Sequence, residues 1–367
     1  LVRRRYAGRL NSGVRRFSHM SNPRLSEIDL LRFFAALSVV FFHYSFRGYA
    51  ADEMTIMPYP PLASVSKYGY LGVELFFMIS GFVILLTAES GSLRRFVISR
   101  IVRLYPAFWA CCSITFLAIL LIGGARYSAT VSQYLANMTM LSGFLGVKLI
   151  DGAYWSLFYE IRFYALVAAV LVIRRIQYSE FLILLWLVAS IALVVNPIGI
   201  LNYLLICDYS AFFIAGATYY LVWSKGISNL RIGVITVSWC LAIFQSTNRL
   251  RLLEKHYGAS MNPYIVIGII TTFFAVMMLI SLRRTGFLGR TNWLLAGSLT
   301  YPLYLLHQNI GFMVFNCFYP AVNSNVLFWG MIVSVIISAY GVYHFIEKPL
   351  APPMKKALNS LANRISA

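Results

Sequence analysis

The stretch LLRFFAALSVVFFHYSF, Leu30–Phe46, decides how the rest of the chain is read. It is apolar and long enough, with its neighbours, to cross hydrocarbon, which takes about 20 residues at about 1.5 Å each. Yet it carries Arg32 near one end and His43 near the other. An ionisable side chain inside a bilayer costs on the order of 3 kcal/mol or more, so both must look away from lipid. The two lie eleven residues apart. At about 100° per residue that is nearly three whole turns, which puts them on one face and about 16 Å apart along the axis. This face therefore points into a bundle, and a bundle needs further helices.

The rest of the sequence supplies them. Of the 367 residues 60% are hydrophobic and only 12% charged, where a soluble domain carries about 25% charge. Apolar runs at 28–47, 68–88, 96–122, 154–174, 179–196, 204–223, 231–247, 262–282, 297–318 and 325–346 read as spans; a weaker run at 132–147 would add another. The alternation of a membrane β-barrel is absent. The sequence thus predicts an all-α polytopic membrane protein, a bundle of about ten transmembrane helices. Basic residues choose between the counts. With ten spans and both termini cytoplasmic, Arg94, Arg95, Arg174, Arg175, Arg283 and Arg284 fall inside, and few Lys or Arg fall outside. An eleventh span would move most later basic loops outside, against the positive-inside rule. Residues 123–153 then form an outer loop or a re-entrant piece.

The net charge of +19 has the same topological origin, and nucleic acid is not an expected partner. Residues 1–25 read as a basic, disordered leader, 26–350 as the membrane domain, and 351–367 as a short cytoplasmic tail. The five cysteines fall in predicted spans without metal-ligand spacing, so no metal is expected and the thiols read as small packing residues. No internal repeat supports an inverted-repeat transporter.

Several stretches carry candidate chemistry. WSLFYEIRFYAL, Trp155–Leu166, puts Ser156, Glu160, Phe163 and Tyr164 on one helical stripe. Counted from the outer edge, Glu160 lies about 10 Å deep, close to the depth of His43. The expectation is an acid–base pair in which the carboxylate fixes the imidazole tautomer. Arg162 points the other way and reads as a structural ion-pair partner. GYLGVELFFMISGFVI, Gly69–Ile84, adds Glu74 and the glycines Gly69, Gly72 and Gly81, which permit close approach of a helix or a ligand. RRFVISRIVRLYPAFW, Arg94–Trp109, places Arg100 and Arg103 three residues apart on one face at the cytoplasmic entrance. Guanidinium groups there suit phosphates, and they also serve as positive-inside anchors. SLTYPLYLLHQ, Ser298–Gln308, holds Tyr301, Tyr304 and a mid-membrane His307, which reads as a core histidine or as part of the site. HFIEKPL, His344–Leu350, adds Glu347 and Pro349.

Together and in this order these stretches resemble the acyltransferase 3 family of integral-membrane acyltransferases, over roughly residues 26–350. The resemblance implies a bundle of about ten helices in the cell inner (plasma) membrane. It implies transfer of an acyl group, usually acetyl, from cytosolic acyl-CoA to hydroxyls of a cell-envelope or exported glycan, or of a lipid-linked glycan. On this reading acyl-CoA is the donor substrate and no cofactor is permanently bound. Arg32 and His43 match the family's first-helix arginine and essential histidine, Arg100 and Arg103 its R-x-x-R pair, and Glu160 its W-S-x-x-x-E glutamate. The expected catalytic residues are His43 and Glu160. Arg32, Arg100 and Arg103 are expected to bind acyl-CoA or its acyl arm, with Glu74, Ser156, Tyr301 and His307 supporting. Some members carry an extracytoplasmic hydrolase-like domain; none is expected within this sequence, which leaves open whether the chain finishes the reaction alone or with an extracytoplasmic partner enzyme. The contrasting reading is a transporter or flippase of a glycan or lipid, with the same charges used for coupling.

Overall fold

The computed structural model describes residues 25–51 and 53–366, so the basic leader falls almost entirely outside the described residues. Every regular element among those described is a helix, with no strand. The long helices are α1 (Ser26–Phe42), α2 (Gly72–Ala88), α3 (Leu93–Ile122), α4 (Val131–Met138), α5 (Trp155–Val172), α6 (Ser179–Val195), α7 (Ser210–Lys225), α8 (Asn229–Asn248), α9 (Pro263–Ser281), α10 (Leu294–Phe318), α11 (Ser324–Val342) and α12 (Lys348–Ser366). Side-chain caps start several of them: Ser92 accepts from the Arg95 amide, and Asn262 precedes the Pro263 that opens α9.

Eight helices among the described residues are long and apolar enough to cross a membrane. The sequence expectation of ten adds α7 and α10, and their surroundings explain the difference. Every residue of α7 from Ser210 to Val222 is buried in protein. Most of α10 is buried too, with the polar set Thr300, His307, Gln308 and Asn309 inside. A helix ringed by other helices need not be apolar or long enough to face lipid. The weak candidate at 132–147 contains only the eight-residue α4. At about 12 Å it is too short to span.

Glycines set the tightest crossing. A Cβ on Gly216 of α7 would collide with the Met78 carbonyl of α2, and one on Gly81 of α2 with the Phe213 carbonyl of α7. Gly69 and Gly72 likewise lie against the α1 backbone at Ser38 and Ala35. The sequence glycines thus serve helix approach, and the buried apolar side chains form two clusters. One is centred on α2, α7, α8 and α9, the other on α1, α3, α10 and α11.

Two helices change pitch. After Phe42 the chain forms a π turn, His43–Arg47, and after Val342 another, Tyr343–Glu347. The segment before α5 dips into the bundle. Asp151 is fully buried; its carboxylate accepts from the Ala153 amide at 2.8 Å and the Asn309 amide at 3.0 Å, and Asn309 Nδ2 donates to the Ile150 carbonyl at 2.8 Å. Helix α5 therefore begins inside the protein, not at its rim. The expected tail, 351–367, is largely taken up by α12, which continues from the second π turn and is held to α3 by Arg94, whose Nη2 donates to the Asn359 carbonyl at 2.7 Å.

Candidate active site

A cavity of about 300 Å³ lies at the seam of the two apolar clusters. Helix α1 supplies Arg32, α3 supplies Ser99, Arg100 and Arg103, α2 supplies Ser80, α5 supplies Ser156, Glu160 and Tyr164, and α10 supplies Thr300, Tyr301 and Tyr304. Val73, Phe76, Phe77, Val83, Ile84, Leu104 and Leu157 complete an otherwise apolar wall. Three guanidinium groups thus share one concave, partly apolar space, which is the make-up of an anion-terminated ligand site.

Each polar group has a definite setting. Glu160 Oε1 accepts from Ser80 Oγ at 2.6 Å and from the Tyr164 hydroxyl at 2.5 Å. Arg100 donates to Ser99 Oγ at 3.2 Å and lies over the Tyr164 ring at 5.9 Å. Arg103, whose side chain is 35% exposed, pairs with the buried Glu347 at 3.1 Å. Glu347 closes the second π turn, so that turn aims its carboxylate at Arg103. The Tyr301 hydroxyl on the cavity wall has no hydrogen-bond partner among the described residues.

His43 does not line this cavity. It is buried at the first residue of the π turn, beside His307, which is fully buried. His43 Nδ1 lies 2.8 Å from the Val39 carbonyl and 3.1 Å from His307 Nε2. His307 Nδ1 lies 2.8 Å from the Tyr304 carbonyl. Between cavity and histidines stands Tyr304, whose hydroxyl meets Ser156 Oγ at 2.7 Å and donates to the Ala153 carbonyl at 3.0 Å. Phe76 packs edge-on against its ring, with centroids 5.7 Å apart.

The expected pairing of Glu160 with His43 is not made. Glu160 joins Arg32 in the cavity, and His43 takes a histidine partner instead. The depth count failed because it started from the membrane edge, whereas α5 starts at the level of the Tyr304 hydroxyl. Arg162 also departs from expectation: it lies over the rings of Tyr159 and Tyr203 at 4.2 and 4.3 Å and donates to the Tyr203 carbonyl at 2.8 Å, with no carboxylate among these partners. Glu74 is buried away from the cavity, its Oε2 without a hydrogen-bond partner. Arg32, Arg100, Arg103, Ser156, Glu160 and Tyr301 are brought together as one wall set. Ser80 is not singled out by the sequence, and Tyr304 and Glu347 are named in SLTYPLYLLHQ and HFIEKPL without a role, because nothing along one helix shows their partners.

Residues 25–344 match the family described as an acyltransferase domain, acyltransferase 3. This chain belongs to that family. Nodulation protein 10 of Rhizobium leguminosarum bv. viciae is 30% identical over 181 residues, which cover 43% of this chain. The aligned part spans 47%, about half, of that relative's length. No solved structure matches the chain. The acyltransferase 3 motifs quoted above fall on the cavity wall, the histidine pair and the second π turn.

Proposed function

We propose that this acyltransferase 3 protein moves an acyl group, acetyl in the first instance, from cytosolic acyl-CoA to a hydroxyl of a cell-envelope or exported glycan. The observation that carries the reading is the arginine-walled cavity one tyrosine layer away from a buried histidine pair. Arg100 and Arg103 would hold the CoA phosphates by charge-assisted hydrogen bonds. The pantetheine arm would run along the apolar wall past Arg32, with Glu160 and the unpaired Tyr301 hydroxyl meeting its amides. The thioester would then pass Tyr304 and Phe76 to reach His43.

In the direct form of the reaction, His43 takes the proton of the acceptor hydroxyl as its oxygen attacks the thioester carbonyl. The C–S bond breaks, and the CoA thiolate regains the proton from the imidazolium. An acyl-histidine intermediate would use the same nitrogen as nucleophile. The topology that fits is ten spans in the cell inner membrane with both termini cytoplasmic. Its basis is the basic residues clustered at the cavity's arginine end and the family match; an extracytoplasmic partner enzyme belongs to the same proposal.

The test is purified protein in lipid nanodiscs with radiolabelled acetyl-CoA and an envelope glycan extract. Thiol release together with label on the glycan is the expected result. Glycan or lipid movement without either would replace the enzyme by a transporter.

A further inference from the structure

The proposed reading, on which this inference rests, makes His43 the reacting base, and the geometry points to the nitrogen that reacts and to the residue that orients its ring. Carbonyl oxygens only accept hydrogen bonds, so each histidine nitrogen beside a carbonyl carries the proton. His307 Nδ1 lies 2.8 Å from the Tyr304 carbonyl and is therefore N–H. His43 Nδ1 lies 2.8 Å from the Val39 carbonyl and is N–H as well. That hydrogen also faces His307 Nε2, at 3.1 Å. Were His307 protonated at Nε2, two N–H groups would point at each other with no acceptor between them. His307 is thus the neutral imidazole whose lone pair receives His43, and His43 Nε2 is left bare.

Both partners are held in place. His43 and the next residue, Tyr44, engage the same histidine, because the Tyr44 hydroxyl donates to the His307 carbonyl at 2.7 Å. The Tyr44 ring sits where a Cβ on Gly311 would be, so α10 is drawn close to α1 at this level. From the other side, Tyr304 is tied to Ser156 and Ala153. We infer that His307 is the positioning residue of the reaction: beside the Val39 carbonyl, which already requires the Nδ1–H tautomer, it fixes the orientation of the His43 ring and so presents Nε2 as the base. A neutral nitrogen here takes the place that a carboxylate holds in hydrolase triads. As His43 gains a proton at Nε2, its Nδ1–H becomes a stronger donor, and both the Val39 carbonyl and His307 Nε2 are already in place to receive it.

Three measurements test this. In protein carrying ¹⁵N-histidine in bilayers, the His43 signal, identified by its loss in His43→Ala, should show a protonated Nδ1 and a bare Nε2. The opposite tautomer overturns the inference without any variant of His307. Kinetics on His307→Ala should show kcat down about 10²-fold, the lower end of what a positioned base contributes, with KM for acetyl-CoA unchanged. His307→Gln, whose amide oxygen can accept from His43 Nδ1–H, should recover at least tenfold of that loss. Wild-type kcat in His307→Ala, or a His307→Gln protein as impaired as His307→Ala at equal folded abundance, overturns it. Loss of activity in His43→Ala with wild-type kcat in His307→Ala would defeat this inference alone. Wild-type turnover in His43→Ala would defeat the reading beneath it.

Discussion

The arginine cavity and the histidine pair lie one residue layer apart and are built on opposite terms. The cavity is charged and reaches the protein's edge, with Arg103 about one-third exposed and about 300 Å³ of open space. The histidine pair is closed: His307 is fully buried and His43 nearly so, packed among Phe42, Tyr44 and Phe312. A cationic, preformed cavity suits capture of an anionic donor from water. A closed, polar-paired centre suits a step that water would divert into hydrolysis. On the proposed reading the contrast separates capture from chemistry along one path, with Tyr304 between them.

The largest effect should come from the closed side. His43→Ala, compared at matched membrane abundance, should lower acyl transfer by about 10²–10⁴-fold, while acyl-CoA binding at the cavity stays near normal. Near-normal transfer in that variant would erase the division of labour. On the open side the pattern should reverse. Arg100→Ala with Arg103→Ala removes charge-assisted contacts worth about 1.5–3 kcal/mol each. Affinity for CoA, read by calorimetry or a binding assay, should fall at least tenfold. Unchanged affinity would make these arginines topological anchors only.

A smaller effect is expected where the two sides share their frame. Gly216→Val pushes a side chain into the Met78 carbonyl, and overpacking of this kind costs about 1–3 kcal/mol. A lower melting temperature in detergent with both functions impaired together is the expected outcome; a selective loss would mean that the α2–α7 crossing serves one side. The smallest effect should come from Glu347→Gln. An ion pair with a partly exposed partner is worth about 0.2–1 kcal/mol, so freeing Arg103 should tighten CoA binding by a few-fold at most. Weaker binding would mean that Glu347 orients Arg103 instead of competing for it. A cysteine placed at position 148 should react with an impermeant reagent from outside and one at 225 from inside, which fixes the end from which the donor enters.

The helices were legible because lipid demands long apolar runs, and the predicted runs agree with the observed helices to within a few residues at most ends. The arginine set was legible because Arg100 and Arg103 lie on one turn and Arg32 could face only inward. What stayed hidden depends on the origin from which depth is counted and on how helices turn toward each other. Glu160 was placed by counting from an edge where α5 does not begin, since Asp151 and Ala153 had carried the chain inward first. The partner of His43 sits 264 residues away on α10, a pairing that spacing along one helix does not report. Neither π turn has a signature in HYSFR or YHFIE.

Those two turns have a consequence for how the gene can vary. In each, the amide after the turn reaches back five residues, Gly48 to His43 and Lys348 to Tyr343, so the segment holds one residue more than an ordinary helix would. Substitution within 44–46 alters a side chain. Deletion of a single codon there lets the segment close to ordinary pitch, with Gly48 bonded four residues back in place of five, and keeps the faces of Arg32, His43 and Gly48, the last of which is jammed against the Phe312 ring; the same deletion in the α-helical turns before His43 swings Arg32 by about 100° relative to His43. A single-codon deletion scan should therefore be more forgiving across 44–46 and 344–346 than across 33–42, and descendants of this chain can lose a residue at either turn while the spacing between Arg32 and His43 stays frozen.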